Sequence, residues 1–427
     1  MNALLLLGSL MIFMALRVPV VFSLLLSSLI YVLFIKPVPI IVLAHRMVWS
    51  VESFPLLSLP LFILAADIMN SGRVSDEMFR FARRLVGHIR GGLGHVHVVV
   101  SMIFAGMSGS MSADMAGPGK VVMNMMISNG YGKPFSVGLT GATSIIGPII
   151  PPSIQMILYG MIAEQSVGRL FVGGFIPGVI MGIFLMGWVY VFALKRNYPR
   201  DPRRASLLEI WESFRRSFWA LITPVIIIGG IIFGIFTPTE AAVVAVVWAF
   251  IVAVFIYKTL GLKDIVPMII NSVTTTALIL VIMGAASVFG WLMTMENVPV
   301  LLRDLVVGAT DKQWVVLLLL NVAFLILGCF FDISAIVLVF TPMVIPILKA
   351  YQIDMIHWGV AQTLNVCIGF LTPPFGVGLF ILSDMTGMTV AQVTRACAPF
   401  LIPLIASLLT ITYLPEVVLW LPRIVFG

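Results

Sequence analysis

Two apolar stretches interrupted by consecutive prolines constrain the fold of this chain most strongly. The first break covers residues 145–153 (IIGPIIPPS), and the second break covers residues 367–376 (CIGFLTPPFG). Pro151 and Pro373 are 222 residues apart. Because proline lacks an N–H and clashes with the preceding turn, a helix stops at each pair. Inside lipid, the freed amides and carbonyls must be satisfied by protein or by a water-filled cavity. We therefore predict a site built from freed backbone groups of both breaks.

The composition is that of a membrane protein. Of the 427 residues, 60% are hydrophobic and 10% are charged, whereas a soluble protein has about 45–50% apolar and about 25% charged residues. Nearly every apolar run is longer than a barrel strand, which predicts an all-α polytopic membrane protein without a soluble domain. The three cysteines lie in apolar segments and predict neither a disulfide framework nor a metal cluster. We expect the N-terminal residues to be retained. The net charge of +7 is assigned to cytoplasmic loops and not to nucleic-acid binding.

The same spacing aligns the two halves of the chain. Gly106 falls on Gly328, and Ser110 falls on Asp332, which indicates an internal repeat of roughly 200 residues. In each half we predict five crossings, a re-entrant hairpin, a proline-broken helix and an amphipathic arm. An odd number of crossings inverts the second half. The predicted ranges are 1–194 for the first repeat (interfacial helix 37–54, first arm 72–90, first hairpin 91–128, broken helix 133–164), 195–216 for a basic cytoplasmic linker, and 217–427 for the second repeat (second arm 295–312, second hairpin 313–350, broken helix 356–385, last crossing 396–420).

The basic residues predict the orientation. With the linker 195–216 in the cytoplasm, the cytoplasmic segments contain 17 Lys and Arg residues and the external segments contain seven. The positive-inside rule favours this orientation over the reverse one. The N-terminus then lies outside, the first hairpin enters from the cytoplasm, and the second hairpin enters from outside.

Inverted repeats with broken helices near the midplane are typical of secondary transporters. Freed carbonyls and hydroxyls suit a hard cation such as Na⁺, and helix N-termini suit a carboxylate. Asp332 carries the most information, because a carboxylate at membrane depth costs about 2.5–3.5 kcal/mol or more unless it is paired. No Lys or Arg lies within a helical turn of Asp332, so a bound cation is its natural partner. Asp114 is followed six residues later by Lys120 and could equally form a structural ion pair.

The predicted ligands lie at the hairpin tips and at the breaks. One sodium site is assigned to Ser108, Gly109, Ser110, Ser112, Thr143, Gly147 and Pro148, and its twin to Gly328, Asp332, Gly369 and Thr372. The substrate anion is expected near Ser108, Ser110, Ser334 and Thr372, held by amides, hydroxyls and Na⁺, because only Lys120 among the basic residues could reach that depth. Sodium is the only metal expected, and no organic cofactor. Since four elements share the site, residues 91–164 and 313–385 should move as one body.

The two breaks, the Phe-Asp-Ile-Ser segment at 331–334 and the Thr-Pro-Thr-Glu-Ala-Ala run at 237–242 resemble the large membrane subunit of tripartite ATP-independent periplasmic (TRAP) transporters. The resemblance covers essentially the whole chain. It implies an elevator-type secondary transporter, driven by a sodium gradient, in the bacterial inner membrane. It also implies a small four-helix membrane subunit, expected as a separate chain, and a periplasmic substrate-binding protein. Family substrates are organic acids, and we expect sialic acid first and a C4-dicarboxylate next.

Two other classes of protein fit parts of the pattern. The segment GMSG at 106–109 matches the surroundings of the serine in an intramembrane serine protease, which needs a histidine base within hydrogen-bond reach. His95 and His97 are about 17–20 Å from that serine along a helix, so only His357 could serve. This interpretation leaves the second copy of the site unexplained. The other alternative is an ion channel, but the ionisable groups at depth are too few for charged pore rings. We therefore predict a transporter and not an enzyme.

Overall fold

The computed structural model describes residues 2–16, 18–36, 38–70, 72–374 and 376–427. Arg17, counted above among the cytoplasmic charges, and Phe375 of the second break lie outside the described residues. Within the described part, the regular structure is entirely helical and contains no strand. The prediction of an all-α protein is confirmed.

The first half of the chain contains the following helices. They are Asn2–Ala15, Val20–Phe34, Ile40–Val51, the 3-10 turn Phe54–Leu57, Ser58–Met69, Gly72–Val86, Gly92–Ser108, Met111–Asp114, the π-helical segment Met115–Gly119, Lys120–Ser128, Lys133–Ser144, Ile154–Ile162 and Val167–Arg196. The gap between Ser144 and Ile154 coincides with the first break. In the first hairpin, the helix that ends at Ser108 and the helix that begins at Lys120 are separated by the short elements at 111–119.

The second half of the chain contains a further series of helices. Its elements are Leu207–Ile232, Pro238–Phe250, the π-helical segment Ile251–Ile256, Leu262–Met295, Val298–Ala309, Gln313–Phe330, Ile333–Ala350, Met355–Gly369, Val377–Thr386, Val390–Cys397, the 3-10 turn Ala398–Phe400, Leu401–Tyr413 and Glu416–Phe426. The second hairpin turns at residues 331–332, and the second break separates the helices that end at Gly369 and begin at Val377.

In the described ranges, seven helices are long and apolar enough to cross a bilayer, or up to eight if one bent pair counts as a single span. That pair joins Ile40–Val51 to Phe54–Met69 at an angle of 63°. Four apolar helices are shorter, namely Leu5–Met14, Val20–Phe34, Gly92–Ser108 and Val377–Thr386. A polytopic membrane protein is therefore confirmed.

Two segments differ from their predicted ranges. The helix predicted to begin at 217 begins at Leu207, where Ser206 and Glu209 form a capping box with each other's backbone N–H groups. The extended part of the basic linker is therefore confined to residues 197–206. The predicted last crossing, 396–420, ends at Tyr413, and a separate helix starts at Glu416, because Pro415 cannot continue the helical hydrogen bonds.

The extended part of the linker lies against the first arm and against Tyr131, which follows the first hairpin. Arg83 donates two hydrogen bonds to the Asp201 carboxylate, of 3.0 and 2.8 Å. The Asp201 backbone N–H donates to the Gly87 carbonyl at 2.9 Å. The Tyr131 hydroxyl donates to the Pro199 carbonyl at 2.9 Å. The segment that joins the two halves is thus bonded to the first half along its length.

The four broken elements pack on one another across the two halves. Helix Ile154–Ile162, which follows the first break, packs against both Ile333–Ala350 and Met355–Gly369. The buried Tyr159 hydroxyl donates to the Met355 carbonyl at 2.8 Å. These contacts bring the two breaks and the second hairpin into one core, which positions the site described next.

Candidate functional site

The first hairpin breaks at a glycine in the left-handed conformation. Helix Gly92–Ser108 ends at Gly109, whose φ is +60°, a region that side chains rarely adopt. Ser110 then caps the short helix Met111–Asp114 by accepting the Ala113 N–H at 3.5 Å. The π-helical segment that follows contains Gly117, whose backbone is not helical (φ −86°, ψ −107°). Together these breaks form a tip that exposes several polar groups.

At this tip a buried carboxylate meets the first break. The Ser108 hydroxyl donates a hydrogen bond to Oδ1 of Asp114, and both side chains are buried. Oδ2 of Asp114 has no hydrogen-bond partner among the described residues. A Cβ placed on Gly147 would lie 2.2 Å from that oxygen, so the carboxylate reaches this position only because residue 147 is glycine. The structure therefore brings together Ser108 and Gly147, and it adds Asp114 between them.

The hairpin tip also touches the proline pair. A Cβ on Gly109 would lie 2.4 Å from the Pro152 carbonyl oxygen, and the Ile154 N–H donates to the Gly109 carbonyl at 3.5 Å. Thr143, a predicted ligand, donates its hydroxyl to the Thr140 carbonyl in its own helix at 3.2 Å. Thr143 and Pro148 are buried in the same break, and their contribution to an ion site stays a prediction.

The second hairpin and the second break meet at backbone distance. A Cβ on Gly328 would lie 2.8 Å from the Gly369 Cα, and one on Gly369 would lie 2.5 Å from the Gly328 Cα. Thr372 folds back onto the end of helix Met355–Gly369. Its N–H donates to the Gly369 carbonyl and its hydroxyl donates to the Ile368 carbonyl, each at 2.8 Å. Three of the four predicted ligands of the second site are thus neighbours.

Asp332 has a protein partner that the sequence did not reveal. It is the N-cap of helix Ile333–Ala350, and its Oδ1 accepts the Ser334 N–H at 2.9 Å. The sequence predicted a bound cation as the natural partner of this carboxylate, and the structure adds the helix N-terminus as a second one. Asp114 was not among the ligands predicted from the sequence, where it was considered as a partner of Lys120. The described ion pairs include none between Asp114 and Lys120, and Lys120 is exposed.

A cavity of about 440 Å³ opens beside the first hairpin tip. Its hairpin wall includes Ser108, Ser110 and Ser112, and its opposite wall comes from helices Ser58–Met69 and Leu262–Met295. The polar groups of the opposite wall are Asp67, Asn70, Asn271 and Thr275. Two predicted substrate contacts, Ser334 and Thr372, do not line this cavity and stay predictions.

The protease interpretation lacks its geometry. The Ser108 hydroxyl is bonded to Asp114, whereas Nε2 of His357 is 2.9 Å from the Ile411 carbonyl oxygen. No histidine hydrogen bonds to Ser108 in the described part of the chain. No group of three or more His, Cys, Asp or Glu residues is arranged to hold a metal there either. A cation at this site would rely on one carboxylate together with hydroxyl and carbonyl oxygens.

These features define the class of protein first. The fold is similar to that in the crystal structure of the Alcanivorax borkumensis YdaH transporter, with a TM-score of 0.60 at 14% identity, over 87% of this chain and 86% of that one. The chain thus has the fold of a multi-pass membrane transporter. Residues 7–417 match the family described as "Tripartite ATP-independent periplasmic transporter, DctM component". The chain belongs to this family, and the resemblance noted in the sequence is confirmed.

Named relatives cover nearly the whole chain. The sialic acid TRAP transporter permease protein SiaT of Haemophilus influenzae is 40% identical over 97% of this chain and 67% of its own length. The sialic acid TRAP transporter large permease protein SiaM of Vibrio cholerae is 39% identical over 96% of each chain. The C4-dicarboxylate TRAP transporter large permease protein DctM of Rhodobacter capsulatus is 35% identical over 99% of each.

Proposed function

We propose that this chain is the large subunit of a sodium-coupled secondary transporter that imports an organic acid, sialic acid first and a C4-dicarboxylate next. A periplasmic binding protein delivers the acid, and a small four-helix subunit accompanies the chain in the bacterial inner membrane. The family and the substrates named for its relatives support the transport of organic acids. The observation that carries sodium coupling is the buried Asp114 carboxylate with one unpartnered oxygen.

The physical argument for a cation is one of compensation. An ionised carboxylate inside a membrane protein requires a partner, and one hydrogen bond from Ser108 leaves Oδ2 without one. Gly147 removes the side chain that would fill the space next to that oxygen. Na⁺ accepts carboxylate, hydroxyl and carbonyl oxygens, which are the groups gathered at this tip. Asp114 would supply the charge, and Ser108 with backbone carbonyls of the tip and the first break would supply the remaining oxygens.

For the second ion we propose the site around Gly328, Asp332, Gly369 and Thr372. The close approach of the two glycines brings the helix end at Gly369 beside the hairpin. Asp332 caps a helix with Oδ1, and a carboxylate can accept further partners at its other lone pairs. Na⁺ bound there would share the carboxylate with the helix N-terminus.

We further propose elevator-type motion, with residues 91–164 and 313–385 travelling together. The packing of Ile154–Ile162 on the second hairpin and on Met355–Gly369 supports this, because separating these elements would expose freed backbone groups to lipid. The frame would then be the remaining long helices.

The experiment that tests the proposed function is uptake into vesicles that contain the reconstituted membrane complex. Candidate binding proteins loaded with sialic acid or a C4-dicarboxylate are supplied outside, with and without an inward Na⁺ gradient. We expect saturable accumulation that requires both the binding protein and Na⁺. Equal uptake without Na⁺, or flux that does not saturate, would contradict the proposal and favour a different coupling ion or a channel.

A further inference from the structure

The opposite wall of the 440 Å³ cavity carries the carboxylate of Asp67, which has no part in the two proposed ion sites. Asp67 lies on helix Ser58–Met69, and its Oδ2 accepts a hydrogen bond of 2.7 Å from Nδ2 of Asn271 on helix Leu262–Met295. The two residues are 204 positions apart in the sequence. Their hydrogen bond fixes the carboxylate on the cavity wall and leaves Oδ1 available to the cavity.

A second acceptor lies on the same wall. Oδ1 of Asn70 is buried and has no hydrogen-bond partner among the described residues. The Asn70 side chain lies against the hairpin tip, since a Cβ on Gly117 would be 3.2 Å from its Cγ and its Oδ1. Together Asp67 and Asn70 offer oxygen acceptors, which call for O–H or N–H donors on a ligand.

The charged groups that line the cavity are acidic and not basic. Among the described residues that line it there is no Lys, Arg or His, and Asp67 is the only carboxylate. The facing wall includes Ser110 and Ser112, whose hydroxyl oxygens are 3.2 Å apart, whereas the hydroxyl of Ser108 donates to Asp114. An acid bound with its carboxylate against the hairpin would therefore turn its other end towards Asp67. A second carboxylate at that end would meet the like charge of Asp67, and two like charges at one site repel each other.

We propose that Asp67 and Asn70 select a polyhydroxylated monocarboxylic acid and reject dicarboxylates. Hydroxyl groups at the far end of such an acid donate hydrogen bonds to both acceptors, whereas a dicarboxylate brings repulsion and leaves Asn70 unpaired. The selectivity is the difference between the affinities for the two kinds of acid. The like charge and the unpaired Asn70 lower the affinity for the dicarboxylate. This inference rests on the proposed function, because it takes the cavity to be the site of the transported acid.

The test compares ligands that differ in one charge. The membrane complex, large with small subunit and without the binding protein, is titrated with gluconate, succinate and monomethyl succinate in Na⁺ buffer. Binding is followed by calorimetry. For the unaltered protein we expect gluconate to bind more than tenfold tighter than succinate, and monomethyl succinate to bind tighter than succinate. Asp67→Asn keeps an oxygen for Asn271 but removes the charge, and it should shift the gluconate-to-succinate ratio at least tenfold towards succinate.

Asp304→Asn is the matched control, since it removes an exposed carboxylate that pairs with the adjacent Arg303 and should leave the ratio unchanged. The monomethyl ester makes the test independent of how well the Asp67→Asn variant folds. Succinate binding as tight as gluconate to the unaltered protein, or an unchanged ratio in Asp67→Asn, would overturn the inference and leave the proposed function standing. Failure of all three acids to bind in Na⁺ would instead count against the proposed function.

Discussion

Gly147 and Asp114 are in such close contact that a methyl group on the glycine would lie 2.2 Å from the carboxylate Oδ2. The two residues belong to different elements, the first break and the first hairpin. Their contact is the point at which the two elements of the proposed first ion site meet. It also means that the side chain at position 147 controls where the carboxylate can lie.

Gly147→Ala should displace the Asp114 carboxylate and weaken Na⁺-dependent uptake more than tenfold. The added methyl group is too close for the carboxylate to stay, and overpacking of this kind typically costs about 1–3 kcal/mol of stability. The measurement is the Na⁺ concentration for half-maximal uptake in vesicles, together with the unfolding temperature. Gly187→Ala is the control, since nothing lies within 4 Å of a Cβ there. Wild-type Na⁺ dependence in Gly147→Ala would argue against an ion at Asp114.

Asp114→Asn should abolish Na⁺ coupling while keeping the fold. Asparagine has nearly the shape of aspartate and can still accept the Ser108 hydrogen bond, but it cannot compensate a cation by charge. We expect uptake to lose its dependence on the Na⁺ gradient, with little change in the unfolding temperature. Asp311→Asn, at an exposed position, serves for comparison. Retained coupling in Asp114→Asn would move the ion elsewhere.

Asp332→Asn separates capping from ion binding. Asparagine is about as good an N-cap as aspartate, so helix Ile333–Ala350 should keep its start and the protein its stability. Any change in Na⁺ dependence then reports on the ion. We expect a more than tenfold rise in the Na⁺ concentration needed for uptake. A variant indistinguishable from wild type in Na⁺ titrations would remove Asp332 from the second site.

Gly328→Ala should separate the second hairpin from the second break. Its methyl group would lie 2.8 Å from the Gly369 Cα, and backbone atoms cannot move aside as a flexible side chain can. We expect a loss of about 1–3 kcal/mol in stability, seen as a lower unfolding temperature, and loss of transport. Gly290→Ala, where a Cβ meets nothing within 4 Å, should be neutral. Equal stability of the two variants would show that the helices can part without cost.

A disulfide between positions 70 and 117 should arrest transport if the hairpin slides past the frame. Asn70 and Gly117 are adjacent, with 3.2 Å between the Asn70 Cγ and a Cβ on Gly117. The double variant Asn70→Cys, Gly117→Cys is oxidised, assayed for uptake, and assayed again after reduction. The single variants, treated in the same way, control for oxidation of the native cysteines, which are buried. Full uptake by the oxidised double variant would contradict rigid-body motion of the hairpin.

Much of the fold follows from local sequence. The Pro-Pro pairs locate both breaks, and the Gly- and Ser-rich tip locates the first hairpin turn, because these residues act on the backbone within a few positions. The start of the helix at Leu207 could have been predicted from Ser206 and Glu209, which form a capping box within a basic segment. Pro415 likewise indicates that a helix ends near Tyr413, whereas hydropathy alone predicts that it continues to residue 420.

The parts of the site that escaped prediction depend on the path of the backbone and on packing between helices. The partner of Asp114 is Ser108 and not Lys120, because the π-helical segment between them turns the lysine to the surface. The hydrogen bond between Asp67 and Asn271 joins two helices 204 positions apart, and no local pattern marks it. Asp332 is the N-cap of a helix, and this position became evident only from the backbone of the structure. The spacing of residues in the sequence gives neither the local backbone path nor the packing on which these contacts depend.

The linker contacts bear on how the protein is made. Asp201 and Pro199 are bonded to Arg83, Gly87 and Tyr131, all of which are synthesised before them. A chain that emerges at about 5–20 residues per second thus has every partner for these bonds available before the helix at Leu207 leaves the ribosome. The bonds between the linker and the first half can therefore form during translation, before the helices of the second half pack against it.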